Sequence, residues 1–146
     1  ASIGIINIFE PDESSPDIEF SADSFEAGKC LIDGKETVLS EYIEENKIDT
    51  KLPLVSNYSG SNINISIKEI SDDIVKFYAP VFKGRVYKFA KAIGNKADAV
   101  YSCNCILNFL YGELEGKSTA PFFGQVTFGE IAYQLVNQTL VYVNIQ

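Results

Sequence analysis

Residues 62–82 read NINISIKEISDDIVKFYAPVF, and this stretch decides the fold. Ile63, Ile65 and Ile67 alternate with Asn64, Ser66 and Lys68, a period of two that buries one face of a strand and leaves the other in water. Asp72-Asp73 supplies a turn, and residues 74–82 predict a second strand, so hairpin pairing of the two is the simplest topology. Pro80 has no N–H to give to a ladder and marks a strand end or an edge.

On the C-terminal side, residues 86–93 are ambiguous between strand and helix. Val86, Phe89, Ala90 and Ile93 fall at helical spacing, which favours helix. Residues 97–103 (ADAVYSC) predict a buried strand, and Ile106, Leu107, Leu110 and Leu114 share one helical face before Gly116. Residues 124–131 and 139–145 predict two further strands, separated from that helix by a Gly/Ser/Pro loop.

On the N-terminal side, residues 57–62 (NYSGSN) read as a loop after a short apolar run over 52–56. Val38, Leu39, Tyr42 and Ile43 recur at helical spacing with Glu41, Glu44 and Glu45 outside, predicting a short amphipathic helix that ends near Asn46-Lys47. Cys30-Leu31-Ile32 leads into Asp33-Gly34, a pair suited to a tight hairpin turn. Residues 4–9 (GIINIF) predict a buried strand, and the prolines, serines and acids of 11–20 a solvated loop. The expected fold is therefore α+β: a single domain over 1–146, an antiparallel or mixed sheet with about three helices packed on it. Residues 1–36 form its acidic strand, loop and hairpin region.

The chain has 146 residues with 46% hydrophobic side chains, enough apolar material for one well-filled core. Its 20 acids and 12 bases give a net charge of −8, unevenly placed. Residues 10–49 hold 13 acids against 3 bases, a net of −10, whereas residues 76–96 hold six bases and no acid. An acidic chain is repelled by nucleic acid and anionic membranes unless a basic patch is well focused, so neither is an expected partner. No apolar run reaches the length of a membrane span. Ala1 is what removal of an initiator Met leaves, and an excised fragment would look the same.

Histidine is absent, which removes the Ser-His-Asp and Cys-His nucleophiles, the histidine general base and the commonest metal ligand. Three cysteines, Cys30, Cys103 and Cys105, make an odd count with two of them one residue apart, a poor framework for disulfides or zinc. A reducing cytoplasm is the expected location, with no metal and no cofactor.

Three groups could carry chemistry. Ser102, Cys103, Asn104 and Cys105 stand where a predicted strand meets a predicted helix, a place that exposes backbone N–H groups and can activate a thiol. The competing reading is that these cysteines simply pack. Gly129 and Glu130 combine a glycine with an acid in a β-like run, where a bulge could re-aim the carboxylate toward an ammonium or hydroxyl, or toward backbone donors. Asn137 precedes the last strand and can cap a turn or bond a ligand.

In this order, VYSCNC at 100–105, Gly124, TFGEI at 127–131 and NQTLVYV at 137–143 resemble the C-terminal half of a FIST domain, keeping its Gly-x-x-x-x-Gly-Glu spacing from Gly124 to Glu130. The resemblance is most specific over residues 100–143 and least over 1–36. It implies a cytoplasmic sensory module that binds an amino acid or similar metabolite and passes its state to a signalling partner protein. The family's ligand region maps onto Ser102, Cys103, Asn104, Gly129, Glu130 and Asn137. A full FIST domain has an N-terminal half as well, so the expectation is either a single-half protein completing its core as a homodimer or an excised piece. The function expected is thus non-catalytic ligand binding and signal transduction. The alternatives are a thiol-dependent enzyme or redox switch using Cys103 or Cys105, and a dimerising interaction domain.

Overall fold

The computed structural model describes residues 2–6, 9–92, 101–111, 124–127, 130–132, 134–136 and 140–144. In chain order the elements are β1 (Ser2–Ile6), β2 (Phe9–Pro11), β3 (Ile18–Glu19), β4 (Ser24–Ala27), β5 (Lys29–Ile32), β6 (Lys35–Val38), α1 (Leu39–Glu45), β7 (Leu54–Tyr58) and β8 (Ser61–Ile65). They continue as β9 (Ile67–Ser71), β10 (Ile74–Val81), β11 (Val86–Ala92), β12 (Tyr101–Cys105), α2 (Ile106–Tyr111), β13 (Gly124–Thr127), β14 (Glu130–Ala132), β15 (Gln134–Val136) and β16 (Leu140–Asn144). The protein is mostly β, and this corrects the α+β expectation: among the described residues helix is confined to α1 and α2, not about three helices packed on a sheet. Neither is long and apolar enough to cross a membrane.

The correction turns on residues 86–93. Instead of a helix, β11 pairs antiparallel with β2, β3 and β7. Tyr87 and Phe89 are buried while Val86 is 46% exposed, so the period of two within Val-Tyr-Lys-Phe outweighs the helical spacing of Val86, Phe89 and Ala90. Aromatic and β-branched residues with several strands to pair against settle as strand.

The chain forms two compact units, one of Phe9–Ala92 and one of Ala1–Ile8 with Ile93–Gln146. The first is built from two antiparallel sheets, β4-β10-β9 and β6-β5-β3-β11-β7-β8 with β2 on β11, which two continuous chain segments link into a barrel-like circuit. Residues 24–32 form one strand that bends at Gly28, pairing with β10 before the bend and with β3 after it. Residues 61–71 likewise bend at Ser66, pairing first with β7 and then with β10. The circuit runs from β10 through β4 and β5 to β3, β11, β7, β8 and β9 and back to β10. Such a narrow barrel is filled by its own side chains. Ile18, Phe20, Leu54, Ile65, Val75, Phe77, Val81 and Tyr87 fill it, and α1 adds Leu39 and Ile43 to the same core. Tyr42 of α1 stacks on Phe89 with ring centroids 6.1 Å apart.

Both bends fall where the sequence permits them. At Gly28 an added Cβ would meet Ile74 Cδ1 at 3.0 Å, and the Gly28 carbonyl accepts the N–H of Leu39, the first residue of α1. Ser66 offers its carbonyl to the N–H of Tyr78, holding β10 across the second bend. Asn64 and Ser66, expected on a wet face, are buried together with Ile63, Ile65 and Ile67. Pro80 lies within β10, past its last pairing with β9 and inside a register shift against β4, so its missing N–H breaks no ladder. Residues 57–62, expected as a loop, make a tight hairpin: Tyr58 pairs with Ser61, and Ser59 and Gly60 take φ of 49° and 84°, as the favoured two-residue turn requires.

The second unit is a sheet ordered β1-β16-β12-β13 with a separate β14-β15 hairpin. The β1–β16 and β16–β12 pairs are antiparallel, but β12 and β13 are parallel.

Candidate functional site

The strand-to-helix junction expected after Ser102-Cys103-Asn104 is present: β12 ends at Cys105 and α2 begins at Ile106. From α2 the chain returns as β13, parallel to β12, with Ser102 opposite Gly124, Cys103 opposite Gln125, Asn104 opposite Val126 and Cys105 opposite Thr127. Parallel strands need such a crossover connection. The carboxyl ends of β12 and β13 therefore lie side by side with the start of a helix, the edge at which open α/β sheets bind ligands.

Glu130 lies in a strand of the same unit. It opens β14, three residues after Thr127 closes β13, and β14 runs close to both β12 and β16. Across its hairpin Glu130 pairs with Val136, so Asn137 is the next residue in the chain after Glu130's partner. Ser102, Cys103, Asn104 and Glu130 thus fall in adjoining strands of one unit. Gly129 and Asn137 lie outside the described residues. From residue 118 to 146 Glu130 is the single charged side chain, so no neighbour in that stretch can neutralise it.

The two described thiols, Cys30 and Cys105, are poorly placed for chemistry. Cys105 has no solvent exposure. Cys30 belongs to the barrel and is also buried, and loss of water around it pushes its pKa up to about 11. A nucleophilic thiol needs access and a depressed pKa. Burial also raises the pKa of Tyr87, and several other displaced groups belong to surface pairs. Lys29 is raised by its hydrogen bond to Glu36 at 2.9 Å, and Lys76 is raised and Glu69 lowered by their contact at 2.7 Å. Among the described residues no group of His, Cys, Asp and Glu could hold a metal ion.

Two barrel features have no local signal in the sequence. The Arg85 guanidinium lies 4.6 Å from the Tyr58 ring centre and 4.4 Å from that of Phe82, a double cation–π contact between two turns. Beside that turn, β3 and the β5–β6 hairpin help enclose a cleft of about 310 Å³. Both assemble residues distant in sequence, and only barrel closure brings them together.

The model of a family described as "Family of unknown function (DUF6976)" matches residues 1–146. No curated protein and no solved structure matches the chain.

Proposed function

We propose that this chain, which belongs to DUF6976, is a non-catalytic small-ligand-binding module of the sensory, signal-transducing kind. Its ligand, an amino acid or similar metabolite, binds on the unit formed by the two ends of the chain. One observation supports the reading: β12, in which Asn104 is next to last, is in contact with β14, which Glu130 opens. A carboxylate alone in a long neutral stretch suits a ligand with a cationic group, because charge complementarity there selects the partner. The likeness to the FIST C-terminal half supports the same ligand class and a signalling partner protein or a homodimer as the receiver of the signal.

A thiol enzyme is less well supported, since Cys105 is fully buried and a buried thiol is inert. The proposed location is the cytoplasm, in keeping with the buried thiols Cys30 and Cys105.

Thermal shift of the full chain against an amino-acid and metabolite library tests the function. A ligand at 100 times its Kd raises stability by about 2.7 kcal/mol, and Glu130→Gln removes that gain while leaving the unliganded melting temperature in place. If no compound shifts the wild type, or if Glu130→Gln responds like the wild type, the reading fails. The iodoacetamide reaction rate measured against pH addresses the thiol alternative, which requires a thiol with a pKa below the unperturbed value of about 8.5.

A further inference from the structure

The barrel cleft of about 310 Å³ is within the size range of small-molecule sites. Its lining includes Phe20, Cys30 and Leu31, of which Leu31 is the exposed one. Lys29 and Glu36, also in the lining, pair with each other at 2.9 Å across the β5–β6 hairpin, so their charges cancel locally. Two charges are left over, Glu19 on β3 and Lys83 on the β10–β11 turn. Neither makes a side-chain hydrogen bond or ion pair among the described residues.

The backbone that carries each is fixed. Glu19 stands in register between Leu31 and Val86, which are 41% and 46% exposed, so two aliphatic side chains flank its carboxylate. The Lys83 turn is pinned because its N–H donates to Asp23 Oδ1 at 2.8 Å, while the neighbouring Arg85 is held between Tyr58 and Phe82.

A lining with balanced charge disfavours a ligand of one sign. A phosphate would face Glu19 and Glu36, and a diamine would face Lys29 and Lys83. A molecule that carries both charges and an apolar body satisfies every wall at once. We propose that this cleft is a binding site for an α-amino-acid zwitterion, its carboxylate on Lys83, its ammonium on Glu19 and its apolar side chain against Leu31 and Phe20. The site is separate from the one built around Glu130 and does not rest on it.

The test is titration of the ¹⁵N-labelled full chain with L-leucine and, separately, L-phenylalanine, followed by amide chemical shifts. Saturable shifts are expected at residues 19–21, 29–31 and 83–84. N-acetyl-leucine lacks the ammonium and leucinamide lacks the carboxylate, and each is expected to bind on the order of tenfold more weakly. Lys83→Gln should erase the preference for leucine over leucinamide, and Glu19→Gln the preference over N-acetyl-leucine. Both changes leave the barrel interior untouched, and an otherwise unchanged amide spectrum verifies the fold. Absence of saturable shifts at these residues up to about 10 mM of either amino acid, or equal binding of the capped analogues, overturns the proposal. Shifts confined to residues 101–105 and 130–136 also overturn it while leaving the Glu130 site standing, whereas cleft shifts that ignore Glu130→Gln support this site alone.

Discussion

The hydroxyl of Tyr87 accepts the N–H of Phe82 at 2.9 Å, and Tyr87 has no solvent exposure. A side chain inside β11 thus holds the start of the turn that precedes that strand. Its ring also packs edge-to-face on Phe20 at 5.4 Å, and Phe20 in turn meets Phe77 at 5.8 Å, so the same residue anchors the core and the turn. Tyr87→Phe keeps the ring contacts and removes the acceptor. The expected cost is about 1 kcal/mol, the usual net value of one such bond, whereas Tyr87→Ala opens a cavity and costs about 3–5 kcal/mol. Urea unfolding of both variants checks this, and a Phe variant as stable as wild type would show that the hydroxyl contributes nothing.

The acidic segment between β2 and β3 is strapped along β11. Ser15 Oγ accepts the Phe89 N–H at 2.9 Å, Lys88 Nζ donates to the Ser15 carbonyl at 2.9 Å and pairs with Asp17 at 2.9 Å, and the Asp12 N–H donates to the Phe89 carbonyl at 2.9 Å. Ser15→Ala leaves the Phe89 N–H without that acceptor, for an expected loss of about 1 kcal/mol. Hydrogen exchange gives the more local readout: the Phe89 amide should exchange faster in the variant while the amides of β9 and β10 keep their rates. Unchanged protection at Phe89 would mean that the strap is incidental.

Two turns of this fold, at Asp33-Gly34 and Asp72-Asp73, were legible in the sequence because their chemistry is local. Asp33-Gly34 needs positive φ and takes it, at 49° and 78°, and the apolar spacing of Leu39 and Ile43 with acids outside predicts α1 almost to its ends. Residues 86–93 were not legible, because Val86, Phe89 and Ala90 satisfy a helical period and Tyr87 and Phe89 a strand period, and only the strands on either side decide between them. Closure of the barrel has no local signature either, since it depends on bends at Gly28 and Ser66 inside otherwise continuous strands. At the candidate site the junction after Asn104 could be read from SCNC followed by an apolar helix. The nearness of β14 to β12 is a tertiary fact with no local signal in the sequence.

Cys30 makes stability depend on alkaline pH. Burial holds its thiol protonated, moving the pKa from 9.0 to about 11, whereas in the unfolded chain the thiol ionises near its ordinary value. Between these two values the unfolded chain binds fewer protons than the folded one, so stability falls as pH rises. Below pH 9 the contribution is fully present, and it is lost progressively from about pH 9 to pH 11. Cys30→Ala removes the titrating group, at the cost of a small cavity. The measurement is urea unfolding of the wild type and Cys30→Ala at a series of pH values: the difference between them should be constant below pH 9 and shrink above it. A difference that stays constant to pH 11 would show that the thiol is solvated.

The turn between β9 and β10 is built from two aspartates where glycine would be easier. Asp72 and Asp73 take φ of 52° and 62°, the left-handed region that a side chain with a Cβ resists, although Asp tolerates it better than most residues. Asp73→Gly is expected to stabilise the protein by about 0.5–1 kcal/mol, because the second position of this turn type favours glycine. The bond from Ser40 Oγ to the Asp73 carbonyl at 3.2 Å uses backbone and survives the change. Charge offers a competing cause, since Asp73 lines a cleft with Glu41, Glu44 and Asp72, against which only Lys47 is basic. Asp73→Asn separates the two causes: it removes the charge and keeps the Cβ. If the gain comes from backbone strain, Gly stabilises and Asn gives a clearly smaller effect; if Asn matches Gly, and the gain of both fades as salt is raised, repulsion among the acids is the cause and the strain argument is wrong.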